Sequence, residues 1–72
     1  MRYLTDGKRH LVCYPYSREN LHEMAEHFGL GRHWFHKNHY DIPHSRILDI
    51  PEQCEIVSPK TIVRVIRGEP LD

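Results

Sequence analysis

Disulfides, long apolar runs and an excess of either charge are missing from this chain, and each gap closes off a class of protein. Two cysteines, Cys13 and Cys54, stand far apart in 72 residues and neither belongs to a CxxC pair, so no disulfide framework or paired-thiol motif is encoded. Both read as reduced, buried thiols that pack as small hydrophobes. No apolar stretch approaches the roughly 20 residues needed to span a bilayer. The opening MRYLTDGKRH lacks the apolar segment of a signal peptide, and the expected compartment is the cytoplasm. Ten Lys and Arg balance ten Asp and Glu, with no block of like charge, which disfavours generic nucleic-acid binding through counterion release.

What the chain has in plenty is histidine, seven in all, four of them in the thirteen-residue stretch RHWFHKNHYDIPH. Each titrates near neutral pH, so a balanced molecule turns positive on mild acidification. The length implies one domain over residues 1–72. A chain this short buries only about 60% of its unfolded surface and gains from a metal, a ligand or a second subunit. A homo-oligomer is therefore expected.

The pattern predicts an α/β (α+β) fold, a small mixed sheet of three to four short strands with two main helices and a short third. Asp6-Gly7 favours a tight type I′ turn between strands at 3–5 and 11–14, the second closed by Pro15. Ser17 is a helix cap, and Leu21, Met24, Ala25 and Phe28 form one apolar stripe. Gly29 stops that helix, which should span 18–28. Residues 31–38 read as a loop, 40–42 as a strand, and 43–49 as room for the short helix, ended by Pro51. A strand follows at 54–57. Ser58 and Pro59 then open a helix whose inward stripe is Ile62, Val65 and Ile66 and which Gly68 ends; residues 69–72 should fray. Were the strands at 40–42 and 54–57 to pair in parallel, the eleven residues between them would be near the minimum for a crossover.

His33, His36 and His39 recur every three residues, and with Asp41 or His22 they could supply a tetrahedral set of metal ligands. The cysteines or HExxH helix of the recognisable zinc signatures are absent. The plainer reading makes His33, His36 and His44 exposed loop residues beside a half-buried Trp34 and Phe35 that seal the core edge. His39 and Asp41 stand apart from that reading. On a strand, residues two apart share a face while Tyr40 points the other way, and an aspartate beside an imidazole fixes its tautomer and favours its charged form.

The segments YLTD with Asp6, ENLHEMA with His22, GLGRHWF with Arg32, and HYD at His39, Tyr40 and Asp41, followed by the basic Arg46, together carry a likeness over most of the chain. They resemble a small family of bacterial and phage domains without an assigned function, domain of unknown function 4031. The likeness implies a candidate constellation and no established activity. For a phage-encoded member it implies the host cytoplasm and suggests sequestering a signalling nucleotide. The loop between the first two strands is shorter than usual in that family, and ILDIPEQ stands where an alanine-rich helix is usual.

Three readings follow. The first is a ligand-binding module in which Asp6, His22, Arg32, Trp34, His39, Asp41 and Arg46 hold a small, nucleotide-like anion, with arginine forks on phosphate and Trp34 stacked on a base. Its site should lie between subunits, since so small a fold hardly encloses a pocket of roughly 300 Å³. No cofactor is required, although a divalent metal on His22, His39 and Asp41 is compatible with it. The second is a hydrolase of phosphoester or glycosidic bonds with His39 as general acid or base and Asp41 orienting it. No nucleophile elbow or diagnostic carboxylate pair accompanies it. The third is an interaction or inhibitor module. Against all three stands the ordinary surface role, His22 pairing with Glu26 and Arg46 with Asp49. These readings expect positions 39, 41 and 22 to converge on one cavity lined by arginine.

Overall fold

A computed structural model describes residues 1–71. Strand β1, Arg2–Thr5, runs antiparallel to β2, His10–Tyr14, with Leu4 opposite Val12 and Thr5 opposite Leu11. The Asp6-Gly7 step turns the chain as expected, with Gly7 at φ 79, but the connection is four residues long and is held by a side chain. Asp6 Oδ1 accepts the N–H groups of Lys8, Arg9 and His10 at 2.9, 3.0 and 3.2 Å, which replaces the two-residue type I′ geometry with a wider loop.

Helix α1, Arg18–Phe28, has the predicted bounds because both of its ends are written in the sequence. Ser17 Oγ accepts the Asn20 N–H at 3.0 Å. At the other end Gly29 adopts φ 72, and its neighbour Leu30 donates back to the Ala25 carbonyl at 2.7 Å, the left-handed ending that glycine permits. Leu21, Met24, Ala25 and Phe28 are all buried.

Residues 31–38 are more ordered than a loop. A 3-10 turn at Arg32–Trp34 leads into β3, Phe35–His36, which forms a hairpin with β4, His39–Asp41. That hairpin was invisible in the sequence because Lys37, at φ 58, occupies the left-handed position where glycine or asparagine usually signals such a turn. Two further 3-10 turns follow: His44–Arg46 stands where the short helix was expected, and Pro51–Gln53 begins at the proline expected to end it. They carry the chain past a fully buried Ile50 to β5, Glu55–Ile56, and then to α2, Pro59–Ile66, capped by Ser58. Beyond α2, the Glu69 N–H bonds to the Arg64 carbonyl and Leu71 packs against the core; Asp72, the last residue of the expected frayed tail, lies outside the described residues.

The sheet is mixed and has five strands in the order β3-β4-β2-β1-β5, somewhat more than the three to four expected. Its one parallel pair joins β5 to β1, with Leu4 opposite Glu55 and Thr5 opposite Ile56. The conditional pairing of β4 with β5 does not form, because β4 takes the free edge of β2, with His10 opposite Asp41 and Leu11 opposite Tyr40. Leu11, Val12 and Cys13 are consecutive and all fully buried. Alternation would expose one face of a half-covered strand, so both faces of β2 are covered. On one lies α1, since Tyr3 packs on His27 and Phe28, and Tyr40 on His22. On the other lies α2, since His10 and His39 share a cavity with Pro59, Ile62, Val63 and Ile66.

The C-terminal stop of α1 gives the first prediction. A methyl group at Gly29 would meet open space, so Gly29→Ala should cost only the left-handed strain, about 1 kcal/mol. Urea denaturation would register this as a lower midpoint with an unchanged slope.

Candidate functional site

The site is built around the end of the β1-β2 loop. Asp6 Oδ2 lies 2.7 Å from His10 Nδ1 while Oδ1 is saturated by the three backbone N–H groups of its own loop. Burial pushes the Asp6 carboxyl upward, but the N–H groups of Arg9, Lys8 and His10 and the His10 ring outweigh it and hold the group well below the ordinary carboxylate range. A carboxylate beside Nδ1 favours the tautomer that carries its proton there and turns Nε2 away from Asp6.

The β2-β4 register sets Asp41 opposite His10, and His39, two residues earlier on β4, turns to the same face. The His39 and His10 ring centroids are 4.8 Å apart, edge to face. His39 Nε2 lies 3.1 Å from Asp41 Oδ1, and its Nδ1 lies 2.8 Å from Asn38 Oδ1. The His39 side chain is only 12% exposed. Burial pulls its pKa below the ordinary value, with His10 and His36 adding to that; the Asp41 charge and hydrogen bond pull the other way without prevailing. A neutral His39 can donate from only one nitrogen, and the other offers a lone pair.

Asp41 also lines an open groove of about 530 Å³ with Lys8, Arg9, Trp34, Ile42, His44 and Ile47. Two cations come from the loop that Asp6 fixes, and the indole comes from the 3-10 turn before β3. Next to α2, a smaller cavity of about 260 Å³ is bounded by His10, Asn38, His39 and the apolar side chains of that helix. The His10, His39 and Asp41 cluster therefore stands where the two hollows approach each other.

The residues singled out from sequence divide between two faces. Asp6, His39, Asp41 and Trp34 are gathered on the α2 face or at its groove. His22 is not: it projects from α1 to the opposite face, where its Nδ1 lies 2.7 Å from the Tyr40 hydroxyl. The convergence of positions 22, 39 and 41 on one cavity is thereby corrected, because Tyr40 points away from its two neighbours and takes His22 with it. His22 pairs with Tyr40 rather than with Glu26. Burial, followed by Arg32 and Arg18, lowers the His22 pKa, and burial raises that of Tyr40. Arg32 is exposed and acts on this same side. Arg46 binds Asp49 through Nε and Nη2 and donates from Nη1 to the Phe28 carbonyl at 2.9 Å, tying the 3-10 turn to the end of α1. The two thiols are set aside by burial, which pushes Cys13 and Cys54 up to about 11.

His10, Lys8, Arg9 and His44 did not stand out in the sequence. Asp6 and His10 are four residues apart across a turn, which was a usable local signal. Asp41 reaches His10 only through the β2-β4 pairing, which no local pattern encodes.

A family model described as Protein of unknown function (DUF4031) matches residues 6–67. No curated protein matches the chain, and no solved structure matches it.

The second prediction concerns the α1 face. His22→Ala would leave the hydroxyl of a fully buried Tyr40 without its partner, a loss of about 1–3 kcal/mol. Adding Tyr40→Phe should recover part of it, so that the double variant loses less than the sum of the two single changes. The sign of the pH effect follows from the same pair. The His22 pKa in the fold lies below the 6.5 of a free ring, so the unfolded chain takes up this proton first. Stability from this group is then whole above about pH 6.5 and falls as the pH drops through that value. Urea midpoints measured at pH values about one unit either side of 6.5 should fall on acidification by less in His22→Gln than in the parent.

Proposed function

Since the chain belongs to this family of unknown function, matched from residue 6 to residue 67, we propose from that premise that it binds a small anionic ligand of nucleotide-like chemistry in the groove of Lys8, Arg9 and Trp34. The observation that carries the reading is the groove's composition. About 530 Å³ of open space is flanked by two cations, a histidine, an indole and a carboxylate, within the roughly 300–1,000 Å³ range of small-molecule sites. Lys8 and Arg9 can take a phosphate, the Trp34 ring offers a stacking face for a base, and Asp41 can accept from sugar hydroxyls. Neither cation has a carboxylate partner among the described residues. The loop that presents them is already fixed by Asp6, so little ordering is lost on binding. The groove is open on one side, and a second copy of the chain closing over it is part of the proposal. No cofactor is needed for this reading.

One observation favours a second reading. Asp41 is shared between the groove wall and the His39 ring, 3.1 Å away, so a ligand phosphoester or glycosidic bond in the groove would lie near the His39 imidazole. His39 would then serve as general base, oriented by Asp41.

Trp34 is the only tryptophan, which makes its fluorescence a local reporter for the third prediction. Titrating chelator-treated protein with adenosine phosphates, a cyclic dinucleotide and inorganic phosphate should give a saturable change with at least one nucleotide, with a Kd of about 1 mM or tighter. The double change Lys8→Ala and Arg9→Ala should weaken it about tenfold or more, from the loss of charge-assisted hydrogen bonds. In calorimetry Trp34→Leu should weaken it roughly 5-fold to 100-fold. No saturation at that concentration, or saturation indifferent to the loss of Lys8 and Arg9, would remove the groove as the site. Turnover abolished by His39→Gln at unchanged affinity would favour the catalytic reading.

A further inference from the structure

We infer that His10, His39 and Asp41 form a binding site for one divalent transition-metal ion of the zinc class, with Asp6 holding His10 in place from behind. The geometry does not depend on the anion groove. One ligand atom from each of the three side chains lies within 4.8 Å of the other two. Around a tetrahedral ion with bonds of about 2.0–2.1 Å, neighbouring ligand atoms stand roughly 3.3 Å apart. His39 Nε2 and Asp41 Oδ1 are already 3.1 Å apart. The widest separation, at most 4.8 Å, has to close by roughly 1–1.5 Å to reach that spacing. His10 can supply the movement, since its side chain is 42% exposed while that of His39 is 12% exposed.

The chemistry of the donors fits an ion and not merely a polar cluster. Two imidazoles and one carboxylate are the mixed nitrogen and oxygen set that zinc and its neighbours accept, and hard cations such as magnesium or calcium prefer oxygen alone. Asp6 Oδ2, 2.7 Å from His10 Nδ1, makes the carboxylate-histidine arrangement that fixes a ligating ring in the right tautomer and raises its donor strength. Asp6 has little to do with solvent, since its side chain is 7% exposed, so its charge is committed to the loop N–H groups and to this one ring. Three protein ligands leave at least one position open. Because Asp41 is shared with the groove of Lys8, Arg9 and Trp34, that position lies within reach of whatever anion the groove accepts.

The test uses the full chain freed of metal by chelator and then dialysed. Adding zinc or cobalt should show one equivalent bound with a Kd in the micromolar range or tighter, by competition against a chromophoric chelator. Cobalt should give the visible bands of a four- or five-coordinate ion. In proton-nitrogen spectra tuned to imidazoles, zinc should shift the His10 and His39 rings and leave those of His22, His27 and His33 in place. His10→Gln and Asp41→Asn should each weaken zinc by tenfold or more, and Asp6→Asn by about 10–100-fold through the lost support. His33→Gln should do nothing. Circular dichroism would verify that each variant is folded, and His10→Gln, whose side chain is half exposed, is the variant least able to disturb the core. Absence of binding at micromolar metal, or binding that survives both His10→Gln and Asp41→Asn, would overturn the site. Nucleotide titrations in chelator report on the groove alone, so either proposal can fail without the other.

Discussion

The pairing of β2 with β4 is the constraint on which both the fold and the site depend. Its register sets Leu11 against Tyr40 and His10 against Asp41, and because side chains alternate, those two rungs send their contents to opposite faces. Leu11 and Tyr40 go under α1, where Tyr40 is fully buried and its hydroxyl is met by His22. His10, Asp41 and, two residues before it, His39 go toward α2. A slip of one residue would bury the imidazoles under α1 and turn Tyr40 outward. The apolar demand of Tyr40 and Leu11 therefore fixes the polar cluster, and the core places the site.

Asp6 performs the complementary task at the loop. Withdrawing a carboxylate from water costs several kcal/mol, and a charge left alone at 7% exposure would take up a proton instead. Three N–H donors and one imidazole offset that cost and hold the carboxyl well below the ordinary carboxylate range. One residue thereby sets the path of the loop from β1 to β2, points Lys8 and Arg9 outward, and locks the His10 tautomer. A neutral amide in its place would keep an acceptor for the loop but would hold the ring less firmly, so the backbone and side-chain roles of Asp6 are separable in principle.

Helix α1 was legible to the residue because its information is local: a serine cap, a stripe at helical spacing and a glycine stop. Helix α2 was legible for the same reason, and β2 was legible from its apolar run and the proline that follows it. The β3-β4 hairpin was not, since Lys37 hides the left-handed position that a glycine would have advertised. Nor was the partner of β5, because two 3-10 turns in place of a helix carry no periodicity by which to trace the chain across the sheet. The site was half legible for a related reason. His39 and Asp41 share a face by strand alternation alone, which needs no tertiary knowledge. Joining His22 to them required knowing which face α1 covers, and missing His10 followed from not knowing which strand β4 would join. Arg46 shows the opposite failure: a basic residue conspicuous in sequence is spent on Asp49 and on the carbonyl end of α1.

The neutral formal charge conceals a sorting of cations by role. Arg2 pairs with Glu55, Arg46 with Asp49 and Arg64 with Glu69, at 2.6, 2.9 and 3.2 Å, all across exposed surfaces where solvent screens such pairs and leaves them little weight in stability. Moving Lys8 and Arg9 into similar pairs would add little to stability. Leaving them beside a groove costs correspondingly little, while their positive field falls on a wall that also holds Trp34 and His44. The one carboxylate on that wall, Asp41, faces His39 and His10, and a cation seated among the three would cancel its charge and turn the whole wall positive. The two proposals share Asp41 and are electrostatically compatible for that reason. An ion at His10, His39 and Asp41 offsets the charge of the carboxylate that lines the groove, and by linkage the anion would in turn tighten the ion.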